Sequence, residues 1–182
     1  MPKVSASTLA FLRKEEGLRE KQGSRIFAYP DTKEVWTIGY GATWYPAANG
    51  TQIRVKRGDV ISEQQAEALL QYHANYFAQG VLKKVGTNIS QLQLDALTSF
   101  AFNFGLGGFN QSRVAAAVLK DSTNLAMIQG AFLSYENQKR RQREHDKYAQ
   151  GTDLSGAALG AIGVLSALAA TVYIFKKAKD NG

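Results

Sequence analysis

The sequence carries the same helix-start device twice. In "ISEQQ" (Ile61, Ser62, Gln65) and in "ISQLQ" (Ile89, Ser90, Gln93, Leu94), an apolar residue, a serine and a glutamine stand at the spacing of a hydrophobic staple and a capping box. Behind the first, Ala66, Leu69, Leu70, His73 and Phe77 make one apolar stripe, and behind the second come Leu97, Ala101 and Phe104. Two long helices with fixed starting points commit the second half of the chain to a helical lobe. After "GLGGFNQS", read as a turn rich in Gly and Asn, two shorter helices and a basic one, "NQKRRQREHDKYAQG", are expected, with Gly151 as the stop.

The first third reads differently. "STLAFL" opens an amphipathic helix with Ser7 as its cap and Gly17 near its end. From Arg25 to Gly41 the strand formers Ile26, Phe27, Tyr29, Val35, Trp36, Ile38 and Tyr40 are interrupted by "PDTKE", a turn, and "NGTQIRVKRGD" is expected to extend the resulting small antiparallel sheet. The fold class is α+β: a small N-terminal β-hairpin subdomain beside a larger helical lobe. A chain of 182 residues suits one compact domain. Without cysteine it has no disulfide framework and no thiol nucleophile, and two histidines leave little for a metal site, so neither metal nor cofactor is expected.

"LSGAALGAIGVLSALAATVYIF", Leu154 to Phe175, is uncharged over 22 residues. At about 1.5 Å per residue it reaches roughly the 30 Å of a bilayer core, and Asp153 and "KKAKDNG" bracket it as interfacial ends do. The expected division is therefore 1–153 as the globular domain, 154–175 as a transmembrane helix and 176–182 as a short basic tail. Gly156 and Gly160 form a GxxxG that points to self-association in lipid. The stretch "MPKVSASTLAFLRKEE" lacks the apolar run of a secretory leader. Five cations precede the span (Lys139, Arg140, Arg141, Arg143, Lys147) and three follow it, a bias toward a cytoplasmic globular domain.

The chain's formal charge is +7, and +5 remains without the residues after Asp153, which favours anionic polymers. No aromatic series interleaves with the basic residues, so nucleic acid is not expected as a partner.

"EGLR", "AYPD" and "WTIGYGAT" place Glu16 where the first helix ends and Asp31 in the turn of the hairpin. Cleavage of a glycosidic bond needs one protonated carboxyl to assist the leaving oxygen and a second, ionised one as base or nucleophile. Taken alone, Glu16 reads as a solvated helix charge and Asp31 as an ordinary turn aspartate. Together with "QLDALTSFAFNFGLGGF" and "RRQREHDKYAQG", however, these motifs resemble, over about residues 5 to 151, the phage-type lysozymes of the T4 endolysin group, glycoside hydrolase family 24.

The resemblance implies a lysozyme-like fold with a cleft between the two parts. It implies a muramidase that cleaves the β-1,4 bond between N-acetylmuramic acid and N-acetylglucosamine in peptidoglycan with inversion, used by a phage for lysis or entry. Glu16 would be the general acid, while Asp31, helped by the Thr37 hydroxyl, would position the attacking water. Arg140 or Arg141 would pair with Glu16, and Tyr40, Asn103 and Phe104 would join them as substrate-binding or supporting residues. With the uncharged run as anchor, the protein would sit in a host inner membrane or a virion membrane and act on the wall.

The sequence also departs from the family's pattern. Glu16 and Asp31 lie fifteen positions apart instead of about nine, with "EKQGSR" inserted, and Ala42 and His73 stand where the family has His and Asp. His73, on an apolar stripe, reads as a core histidine. The loop before "RR..E" is reduced to "YENQK". A lytic transglycosylase, which needs only the glutamate, and a silent, membrane-anchored virion component are the competing functions.

Overall fold

The computed structural model describes residues 4–32, 34–47 and 50–152. The chain opens with α1 (Ala6–Glu16), passes through seven short strands and closes with five further helices. The strands are β1 (Lys21–Gln22), β2 (Arg25–Phe27), β3 (Tyr29–Pro30), β4 (Trp36–Thr37), β5 (Trp44–Pro46), β6 (Gln52–Arg54) and β7 (Val60–Ser62). The helices are α2 (Glu63–Val85), α3 (Gln91–Asn110), α4 (Arg113–Lys120), α5 (Leu125–Leu133) and α6 (Gln138–Gln150). The α+β reading holds for the described residues. The segment 154–175 lies outside them, and among the described residues no helix is long and apolar enough to cross a membrane.

Both capping boxes form. Ser62 Oγ accepts from Gln65 N while Gln65 Oε1 accepts from Ser62 N, and Ser90 and Gln93 repeat the exchange. Each serves two backbone donors that the first helical turn leaves orphaned.

At α1 the cap is Ser5 rather than Ser7: Ser5 Oγ accepts from Thr8 N at 3.2 Å, and Ser5 N donates to the buried carboxylate of Asp95 on α3. The glycine-rich stretch after Phe104 is not a plain turn either. Only Gly105, with φ 73°, breaks helical geometry, and the chain then continues helically to Asn110 so that Phe109 is fully buried.

The strands make three small antiparallel sheets, ordered β1-β2-β7, β3-β4 and β5-β6. The expected single sheet is thus split, and "TQIRV" pairs with β5, not with the first hairpin. The six inserted residues, 20–25, build β1, a turn at Gly23 and the start of β2. Phe27 N bonds Glu20 O at 3.1 Å, so the chain returns beside the point where it left. An excursion closed on itself in this way need not displace β3 or β4.

Two apolar cores result. Ile26, Ile38, Val55 and Ile61 pack with Ala66 and Leu69, whereas Leu12, Leu70, Val81, Leu97, Phe100, Phe109, Phe132 and Tyr148 form the larger helical core. Helix α2 serves both, its first turns in one core and the rest in the other. Although α1 precedes the strands, its Leu12 lies in the helical core, so the end of α1 is fixed against that lobe.

His73 is buried, its ring 4.3 Å from that of Trp44, and its Nε2 has no hydrogen-bond partner. Burial pushes its pKa down to about 4 against a hydrogen bond to the Trp44 backbone. The folded protein therefore holds His73 neutral, and its contribution is complete above about pH 6.5 and lost progressively as pH falls toward 4. Urea unfolding at pH 7 and 4.5 should show the wild type losing about 2–3 kcal/mol more than His73→Leu over that interval.

Candidate active site

The candidate residues stand at the end of α1, the start of α6, the middle of α3 and in the hairpin β3–β4. Gly17, at φ 65°, stops α1 directly after Glu16, and its N–H closes on Arg13 O. That leaves the Glu16 side chain at the helix end, with about a fifth of its surface exposed.

Glu16 Oε1 accepts from Arg140 Nη1 at 2.9 Å. Of the two arginines the sequence offers, Arg140 is the one that meets the glutamate. Arg140 is itself buried, and its remaining donors are taken inside the lobe: Nε bonds Glu144 Oε1 at 3.2 Å and Nη2 bonds Ser99 O at 3.3 Å. Ser99 Oγ donates to the same Glu144 oxygen at 2.7 Å.

Arg141 Nη1 lies 3.0 Å from Glu144 Oε2, an ion pair whose angle does not make a hydrogen bond. Its Nη2 donates to Asn103 Oδ1 at 3.2 Å, and the guanidinium covers the faces of Phe100 and Phe104 at 4.9 and 5.1 Å. Burial pushes the Glu144 carboxyl upward, with Arg141 and Arg140 pulling against it. Burial likewise pushes Arg141 downward, opposed by Glu144. Each partner thus offsets part of the other's desolvation.

On the strand side, Asp31 opens the β3–β4 turn. Its N donates to Val35 O and its Oδ1 accepts from Val35 N, both at 2.9 Å, the local bonding that makes aspartate a turn residue. Thr37 is buried and donates its hydroxyl to Val35 O at 3.0 Å.

The next turn, Gly39-Tyr40-Gly41, is closed by the two reciprocal bonds of Ile38 with Ala42. Gly41 has φ 90°, and a Cβ there would sit 3.8 Å from Glu16 Oε2, so this turn lies against the second carboxylate oxygen. Burial raises the Tyr29 phenol pKa, and the charges of Glu16 and Asp31 raise it further, against Arg19.

Tyr40 turns toward α2 and donates to Glu67 Oε1 at 2.5 Å, and Arg13 of α1 binds the other Glu67 oxygen. Burial and the Glu67 bond push the Tyr40 phenol up to about 12. Asn103 meets Arg141, and Phe104, 37% exposed, stacks on Phe100 with ring centroids 4.5 Å apart. Glu144, Ser99 and Glu67 were not singled out in the sequence, yet each organises a residue that was. For Glu144 a signal existed, because its three- and four-residue spacings from Arg141 and Arg140 put all three charges on one helical face.

The phage lysozyme family model matches residues 19–145, a stretch that begins just beyond Glu16 and contains Asp31, Thr37 and both arginines. The endolysin of Bacillus phage B103 is 29% identical over 157 residues, 81% of this chain and 54% of its own length. The chain spans about half the length of the Bacillus phage relatives it matches. Among solved structures, the endolysin from Escherichia coli O157:H7 phage FAHEc1 is 26% identical with a TM-score of 0.64, covering 81% of this chain and 93% of that one. The muramidase domain of SpmX from Asticaccaulis excentricus is 25% identical with a TM-score of 0.62, covering 81% and 98%.

Removing one member of a buried ion network leaves the others uncompensated. Arg140→Met should therefore cost about 3–5 kcal/mol in urea unfolding, whereas Lys21→Met, at an exposed pair with Glu63, should cost under about 1 kcal/mol.

Proposed function

The chain belongs to the phage lysozyme family, and from that premise we propose that it is a muramidase of glycoside hydrolase family 24. It hydrolyses the β-1,4 bond between N-acetylmuramic acid and N-acetylglucosamine in bacterial peptidoglycan and serves a phage in lysis or entry. The observation that carries this reading is the placement of Glu16: a carboxyl at the end of α1, gripped on one oxygen by a buried arginine, with the other toward the strand side.

In this reading Glu16 gives its proton to the glycosidic oxygen as the bond to the anomeric carbon breaks. Asp31, held by its own turn, orients the water that attacks from the opposite face and takes up its proton; Thr37 supports it. Inversion needs the two carboxyls about 6.5–9.5 Å apart to admit that water. Phe104 offers its exposed part to sugar, Arg141, held by Asn103, packs on its ring, and Tyr40 fixes the turn beside Glu16 through Glu67.

The domain division follows the composition: 1–153 catalytic, 154–175 a membrane span and 176–182 a basic end, with Gly156 and Gly160 available for pairing in lipid. The anchored enzyme acts on the wall from a host inner membrane or a virion membrane. Resistance of the full chain to carbonate extraction, lost on deleting 154–182, would support the anchor; release of the full chain by carbonate would remove it.

The activity is tested by digesting peptidoglycan with the full chain and identifying the released sugar ends by mass. Reducing muramic ends are expected, with Glu16→Gln lowering their rate by at least about 100-fold, the scale of a lost general acid. Anhydro ends would assign a transglycosylase instead, and no release by the wild type would reject the enzyme.

A further inference from the structure

Two cavities open beside the β5–β6 hairpin, and neither is lined by a residue of the candidate site. One, of about 430 Å³, has Tyr45, Pro46, Gln65 and Tyr72 in its walls. The other, of about 350 Å³, has Tyr45, Arg54, Lys56 and Asp59. Tyr45 and Ile61 line both, so one tyrosine divides two adjoining spaces, each within the size range of small-molecule sites.

Asp59 fixes that divider. Its carboxylate accepts from Lys56 N at 2.9 Å and from the Tyr45 hydroxyl, and burial together with the Asp59 charge pushes the Tyr45 phenol up to about 12. Arg54, Lys56 and the neighbouring Arg57 are exposed, and none forms an ion pair among the described residues. Three cations against one committed acid make this half of the groove a place for an anion.

The other half is aromatic. Gln65, Ala68 and Tyr72 share one face of α2 by their spacing, whereas Glu67, which serves the candidate site, lies on another. Gln65 Oε1 is taken by Ser62 N, which leaves its amide N–H groups to donate outward. Tyr72, 44% exposed, meets Trp44 edge-on at 86°, and Tyr76 meets it at 77°. Rings set edge-on give no run of parallel faces for successive nucleobases. Tyrosines beside a proline and an amide suit the C–H face and hydroxyl rim of a sugar. Because the cations lie past Tyr45 and not among these rings, the matching charge belongs between sugars, on a phosphodiester, rather than on the sugar ring as a carboxylate. Arginine offers phosphate paired donors.

We propose that the two cavities form one bipartite site for a phosphodiester-linked glycan, a sugar unit lying against Tyr45 and Tyr72 and the adjoining phosphate on Arg54 and Lys56. Such a site holds the protein on a phosphorylated surface polymer without using the candidate acids, and it stands apart from the muramidase reading.

The test is a calorimetric titration of the full chain with a polymer of N-acetylglucosamine units joined by phosphodiesters. Saturable binding is expected, weakened about fivefold or more in Arg54→Gln/Lys56→Gln and in Tyr72→Ser, and unchanged in the exposed control Lys83→Gln and in Glu16→Gln. Absence of binding, equal binding by the double variant, or loss of binding in Glu16→Gln would overturn the proposal. So would equally tight binding of inorganic polyphosphate, a single-stranded oligonucleotide or anionic lipid vesicles. Polymer binding by a wild type that releases nothing from peptidoglycan would keep the site and reject the muramidase.

Discussion

Arg140 is the contact on which the site depends. Its guanidinium reaches Glu16 at the end of α1, Glu144 one helical turn further along α6 and the backbone of Ser99 in α3, while almost none of it is exposed. With Arg141 included, two guanidiniums and two carboxyl groups lie in one cluster, and paired groups with most donors satisfied can be buried where a lone charge could not. The consequence for function is geometric. Glu16 is fixed by a group that the packing of three helices prevents from moving, and sites on rigid elements hold their geometry best.

The strand part meets this rigid half through α2. Its first turns pack with the strand core and the rest with the helical core, and Glu67 on α2 binds both Tyr40 of the glycine turn and Arg13 of α1. One carboxylate therefore ties together the helix that ends in Glu16 and the turn that lies against it. The inserted hairpin at residues 20–25 closes on itself between Glu20 and Phe27.

Local signals were legible in the sequence. Both capping boxes form as their spacing dictates, and the end of α1 at Glu16 follows from Gly17. What failed was decided by tertiary contact. Ser5 and Ser7 are equally good caps in isolation, and the choice falls on Ser5 where Val4 is buried and Asp95 takes the Ser5 N–H. The glycines after Phe104 read as a turn, but burying Phe109 keeps that stretch helical. Three short sheets instead of one could not be read from strand formers, since pairing joins residues as distant as Ile26 and Ile61. Glu16 and Asp31 stand out through their motifs, and the spacing of Glu144 from Arg140 and Arg141 puts it on their helix face, but its burial is decided by packing against α3 and Ser99 and is not legible in that spacing.

The central claim is that Arg140 couples the candidate acid to the buried cluster, and a double-mutant cycle measures that coupling directly. Equilibrium unfolding of wild type, Glu16→Gln, Arg140→Met and the double variant should give a double variant less destabilised than the sum of the singles by about 1 kcal/mol or more. Additivity within about 0.3 kcal/mol would contradict the account, since Glu16 and Arg140 would then be neighbours without an energetic link.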